Sequence, residues 1–120
     1  MDSSGLLSLA KDLARLVADR IDTNALHNLA SPPSGEKWGS LKSLERALAT
    51  KMEPALAASL VSPLFGIYEL RLGDAHLPSS EIHEALSKAR VDRAAPFVEQ
   101  GAQLIYAAAY SLHFAAEALR

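Results

Sequence analysis

Pro54-Ala-Leu-Ala-Ala-Ser-Leu-Val-Ser-Pro-Leu-Phe-Gly-Ile-Tyr-Glu-Leu-Arg-Leu72 is the stretch on which the fold turns. Leu56, Leu60, Val61, Leu64, Phe65, Ile67 and Leu70 make its apolar character nearly continuous, and such density marks a helix buried on most sides. Glu53-Pro54 suits the start, because proline at the first helical position forfeits no hydrogen bond that the helix needs. Ser62-Pro63 lies inside the run, so the sequence predicts a kink there or a division into two helices. Gly73 is the expected stop.

Outward from this element the chain keeps reading as helix. Residues 5–21 place Leu6, Leu9, Leu13, Leu16, Val17 and Ile21 at spacings of three and four, with Ser3 or Ser4 as the cap. Asp22 or Thr23 starts a short helix over 24–30. Ser31-Pro32-Pro33-Ser34-Gly35 then breaks regular structure, and Trp38 is expected to pin that loop to the core. Ser40 caps a helix over 40–52 with Leu41, Leu44, Ala47 and Leu48 inward. Downstream, Leu77-Pro78-Ser79-Ser80 is a turn, residues 80–90 are a helix with Ile82 and Leu86 inward, and Pro96 opens the last helix, which runs to about Arg120. On that helix Val98, Leu104, Ile105, Ala108, Leu112, Ala115, Ala116 and Leu119 read as one broad apolar face, whose alanines let another helix approach closely. Short connections make neighbouring helices antiparallel. The expected fold is therefore all-α: one domain spanning residues 1–120, an up-and-down bundle of four to five helices.

Composition narrows the function. Hydrophobic residues make up 49% and charged residues 22% of the 120 residues, which excludes a chain disordered by composition. There is no cysteine, so disulfides, thiol catalysis and thiolate zinc sites are excluded. The four histidines, His27, His76, His83 and His113, lie on separate segments, and no metal or other cofactor is expected from their spacing. No run reaches the roughly 20 apolar residues of a membrane span, and the amino-terminal residues lack the basic region of a signal peptide. The reading places the chain in the cytoplasm, away from membranes. A formal net charge of −2 argues against tight nonspecific binding of polyanions, while still allowing RNA at a local basic patch.

One segment carries residues suited to chemistry: Arg71-Leu72-Gly73-Asp74-Ala75-His76. An arginine and a histidine five positions apart at the end of a buried helix resemble the Arg-x(4–6)-His signature of the HEPN superfamily, and Leu70 before the motif extends the likeness. The resemblance implies a HEPN-like helical bundle and metal-independent endoribonuclease activity of a prokaryotic defence or toxin–antitoxin system. It also implies a homodimer that brings two motifs into one cleft, with RNA as substrate and an antitoxin or other protein as partner. Arg71 and His76 would then be catalytic, Asp74 orienting His76 or pairing with Arg71. The chemistry is coherent. Histidine exchanges protons near neutrality, and arginine grips phosphate oxygens in two places. Five residues of ideal helix turn through about 500°, leaving the two side chains roughly 140° apart. They share a site only where the helix bends or ends, as Gly73 allows.

Two other readings stand beside this one. Arg71 pairs with Glu69 or Asp74 and His76 caps a carbonyl, both being structural; or the chain is a non-catalytic module that dimerises or binds a protein partner through its alanine-rich last helix. Tyr106, Tyr110, His113 and Glu117 form a stripe on that helix, suited to stacking on nucleic acid or to a core or dimer interface. Lys37, Lys42, Arg46 and Lys51 suggest a basic face, which most often is simply solvated.

Overall fold

The computed structural model describes residues 1–71 and 78–120, which form six helices with no strand among them. These are α1 (Ser3–Arg20), α2 (Thr23–His27), α3 (Ser40–Leu48), α4 (Pro54–Leu70), α5 (Ser79–Lys88) and α6 (Phe97–Ala118). The all-α expectation holds, but there are six helices where four or five were expected. Ile21 leaves α1 in an extended conformation, and Asp22 restarts the helix by accepting a 3.1 Å hydrogen bond from the Ala25 amide, so α2 is a separate turn. Asp2, rather than Ser3 or Ser4, caps α1, accepting from Gly5 N at 2.8 Å. The Pro33–Glu36 turn closes through a 3.0 Å bond from Glu36 N to Pro33 O, and Gly35 supplies its positive φ of 87°.

The apolar run beginning at Pro54 is indeed the centre. Helix α4 packs against α1, α3, α5 and α6; α1 also meets α6, and α2 meets α3. Val61, Leu64, Ile67 and Leu70 are buried along it. On α1 the buried line is Leu6, Ala10, Ala14 and Val17, whereas Leu16 is exposed, so small residues sit where α1 meets its neighbours. Helix α3 starts at Ser40 with Gly39 in the cap position and ends at Leu48, short of the expected residue 52.

Of the two outcomes expected at Ser62-Pro63, the division into two helices does not occur: α4 runs unbroken through Pro63. A proline has no N–H to give the carbonyl four residues earlier, which here is that of Ser59. The Arg90 guanidinium supplies the missing donor, bonding Ser59 O at 3.2 Å. Arg90 reaches it from an unusual backbone position, with φ at 59°. It follows the last turn of α5, where Arg90 N bonds Ser87 O at 3.0 Å and Val91 N bonds Leu86 O at 2.9 Å, with Leu86 and Val91 both buried. That is the helix ending usually built on glycine, and a side chain there costs about 1 kcal/mol or more.

Helices α4 and α5 approach closely at Gly66. A Cβ on Gly66 would lie 2.5 Å from Ala85 O and 2.8 Å from Ala89 N. Glu69 and Lys88 close the same seam with a 2.8 Å ion pair. The hydrogen bond to Glu69 holds the Lys88 ammonium above the usual lysine range, against a smaller opposing effect of burial. A lysine pKa raised by folding adds stability while the group stays protonated, so this contribution is present at neutral pH and fades as pH climbs past the lysine range.

Helix α6 corrects the single broad apolar face. Leu104, Ala108 and Ala115 are buried, but Val98, Ile105, Leu112 and Ala116 lie in solvent on the adjoining side. The helix therefore has two apolar faces, one of them inside the fold.

Candidate functional site

Arg71 forms the C-terminal cap of α4 and is exposed. Its guanidinium lies 3.9 Å from the Tyr68 ring centre, one turn back on the same helix, and donates to the Tyr68 hydroxyl. Stacking on a tyrosine holds the guanidinium over the ring at an exposed position. The expected structural pairing with Glu69 is not what holds it, since Glu69 is engaged by Lys88 across the α4–α5 seam. Asp74 and His76, with Gly73, lie outside the described residues, so the motif is placed only at its first member.

Among the other histidines, His27 Nε2 and Ser43 Oγ lie 3.0 Å apart. The pair has the make-up of a nucleophile and its base, but Ser43 is 0% exposed, out of reach of any substrate. The bond fastens α2 to α3. His83 and His113 are exposed on separate helices. No group of three potential metal ligands comes together among the described residues, and no described helix is long and apolar enough to cross a membrane.

Trp38 does not enter the core as expected. It is half-buried, with its edge against His27 at 6.3 Å and its indole N–H bonded to Glu36 at 3.2 Å. Lys42 and Arg46, one helical turn apart on α3, flank the ring at 6.0 and 5.8 Å. Two of the four lysine and arginine residues read as a basic face thus stand beside an aromatic ring, where each contributes modestly at an exposed position.

The most extended feature is the outer side of α6. Tyr106, Tyr110 and Phe114 stack in sequence, with ring centres 6.1 and 4.6 Å apart, and His113 sets its edge on Phe114 at 5.0 Å. The expected aromatic stripe is therefore present with Phe114 as an added member. Grooves of about 500 and about 560 Å³ lie on either side of Tyr110, and Arg90 lines both. Tyr106 is 71% exposed and Ile105 50%. Between Glu99 and Glu117 the helix carries no Asp, Glu, Lys or Arg.

No family model matches the chain, and no curated protein or solved structure is significantly similar to it.

Sequence reasoning did not single out Arg90, Gly66 or Phe114. Gly66 had a signal, an isolated glycine inside an otherwise dense apolar helix. Phe114 continued the spacing of Tyr106 and Tyr110. Arg90 had none, because nothing in an Ala-Arg-Val sequence announces a left-handed backbone.

Proposed function

We propose that the chain works as a helical docking module whose working surface is the solvent side of α6. The observation behind this reading is a solvent-facing aliphatic row along a 22-residue helix, Val98, Ile105 and Leu112, with a second exposed row, the stacked Tyr106, Tyr110 and Phe114, on the side next to it. Scattered exposed apolar residues are ordinary on a protein surface, whereas apolar rows side by side along one helix mark a contact face. Aromatic anchors dominate binding energy at such faces. A photo-reactive benzoylphenylalanine at position 105 tests the reading. It is expected to give protein adducts, in the purified protein or in extract of the source cells, well above those from the same probe at Lys11 on the polar side of α1. Equal yields from the two positions would end it.

A second reading, the HEPN-like endoribonuclease of a defence or toxin–antitoxin system, rests on Arg71, a solvent-facing guanidinium held by Tyr68 at the end of the central helix. It requires His76 to meet Arg71, with Asp74 beside them. Under it, the purified protein cleaves single-stranded RNA in the presence of a chelator, and Arg71→Ala and His76→Ala each reduce the rate by about 100-fold or more, the one by removing positive charge from the phosphate and the other by removing a proton-transfer group. Cleavage unchanged in both variants rejects the assignment.

A further inference from the structure

Resting on the docking reading, we infer that the occupant of the α6 face is a second copy of this chain, its α6 lying antiparallel to the first. The outward residues Val98, Ala102, Ile105, Ala109, Leu112, Ala116 and Leu119 alternate in steps of four and three. That is the heptad spacing of a coiled-coil seam. All but Leu119, which is half-buried, are exposed. This seam is distinct from the buried line of Leu104, Ala108, Ser111 and Ala115, which packs inside the fold. One heptad position is filled by alanine each time, at 102, 109 and 116; the other holds Val98, Ile105, Leu112 and Leu119. Alanine at every seventh residue lets two helix axes come to about 8 Å, the near end of helix-packing distances.

The alternation is self-complementary in one direction. In an antiparallel pair the two seam positions face each other, so a small residue meets a large one at every layer. Ala109 lies against Leu112 of the second copy, Ala116 against Ile105 and Ala102 against Leu119. The four central layers, between residues 105 and 116, span about 17 Å of helix, and the Ala102–Leu119 contact adds one at each end, where Leu119 follows α6 and also touches the core of its own copy. A two-fold axis generates them all from one face, as closed homodimers require. A parallel pair would stack alanine on alanine and leave those layers hollow.

Charge selects the register. Beside the seam run Glu99, Tyr106 and His113, and Arg120 follows just past the end of α6. The antiparallel register above sets Glu99 of each copy near Arg120 of the other, at both ends of the interface, and Tyr106 near His113. Opposite charges at these flanking positions set partner choice and orientation. Arg120 is available for this: among the described residues its ion pair is a 3.5 Å contact with Glu117, and its side chain is 80% exposed. Sliding the partner by one heptad keeps small against large but separates Glu99 from Arg120.

The chain has no cysteine, so introduced thiols report geometry cleanly. Sedimentation equilibrium across the micromolar range is expected to give a dimer. Ile105→Glu is expected to weaken it roughly 100-fold or more, because each interface would bury two unpaired carboxylates. Residue 105 is half in solvent in the single chain, so helical content should not change. Glu99→Arg should weaken the dimer by about 3- to 10-fold, and adding Arg120→Glu should restore it. Mild oxidation of mixed Ile105→Cys and Ala116→Cys proteins should yield the disulfide-linked heterodimer, and neither variant alone should cross-link. A monomer at every concentration overturns self-pairing. If benzoylphenylalanine at 105 still captures another protein, the docking reading survives that result; if it captures none, both fall. A disulfide formed by Ile105→Cys alone overturns the antiparallel arrangement even if the protein is a dimer.

Discussion

Replacing Gly66 by alanine is expected to lower the melting temperature by roughly 10 °C, corresponding to ~2 kcal/mol or more for a domain of this size. The sign is the opposite of what helix propensity gives. In a helix interior, alanine is favoured over glycine by about 1 kcal/mol. At Gly66 the added methyl would sit 2.5 Å from Ala85 O, 2.8 Å from Ala89 N and 2.9 Å from Lys88 Cβ. Two of these atoms are backbone, so no rotamer change relieves the clash and α5 must move as a body. That movement would also pull Lys88 from Glu69 and Arg90 from Ser59 O, two contacts that bind the same helices. Thermal unfolding followed by circular dichroism measures the effect. A melting temperature equal to or above that of the parent protein would mean that α4 and α5 lie farther apart than described.

The second large effect is a contrast between adjacent residues. Leu104→Ala is expected to cost about 2–5 kcal/mol, the usual range for truncating a fully buried leucine. That is a substantial share of the 5–15 kcal/mol by which domains are typically stable. Ile105→Ala should change stability by less than ~0.5 kcal/mol, as for ordinary surface positions. Leu104 is 0% exposed and Ile105 50%, although one peptide bond separates them. The measurement is urea unfolding at a protein concentration low enough to dissociate any dimer, since association would add its own stability. Sedimentation is expected to reverse the order, with Ile105→Ala impairing association and Leu104→Ala leaving it intact in the folded fraction. Equal destabilisation by the two substitutions would show that the faces of α6 are assigned wrongly.

Much of the fold could be read from local pattern. The density from Leu56 to Leu70 marks the central helix, and Pro96 and the acidic residue Asp22 mark starts that are present. What could not be read depends on contacts between segments distant in sequence. Pro63 breaks a helix only where its orphaned carbonyl goes unpaired, and the donor comes from Arg90, 31 residues away from Ser59. The two sides of α6 merged into one in the sequence because periodicity reports that residues share a helix, not which neighbours cover them. Val98, Ile105 and Leu112 repeat as regularly as Leu104 and Ala108; only the positions of α1 and α4 separate them. For the candidate site, residue type alone marks Arg71, and helical spacing marks Tyr106 and Tyr110 on α6, whereas the exposure of Val98, Ile105 and Leu112 shows only once the neighbours of α6 are placed.

The chain holds a single tryptophan, seated among His27, Lys42 and Arg46 on α2 and α3, while α6 packs on α1 and α4. Two of its three tyrosines, Tyr106 and Tyr110, stand on α6 itself. Nature has thus wired two optical channels into one small protein. Indole fluorescence follows the melting of the fold, and under the docking reading difference absorbance of the tyrosines, two of three on α6, reports an occupant of that helix without any label.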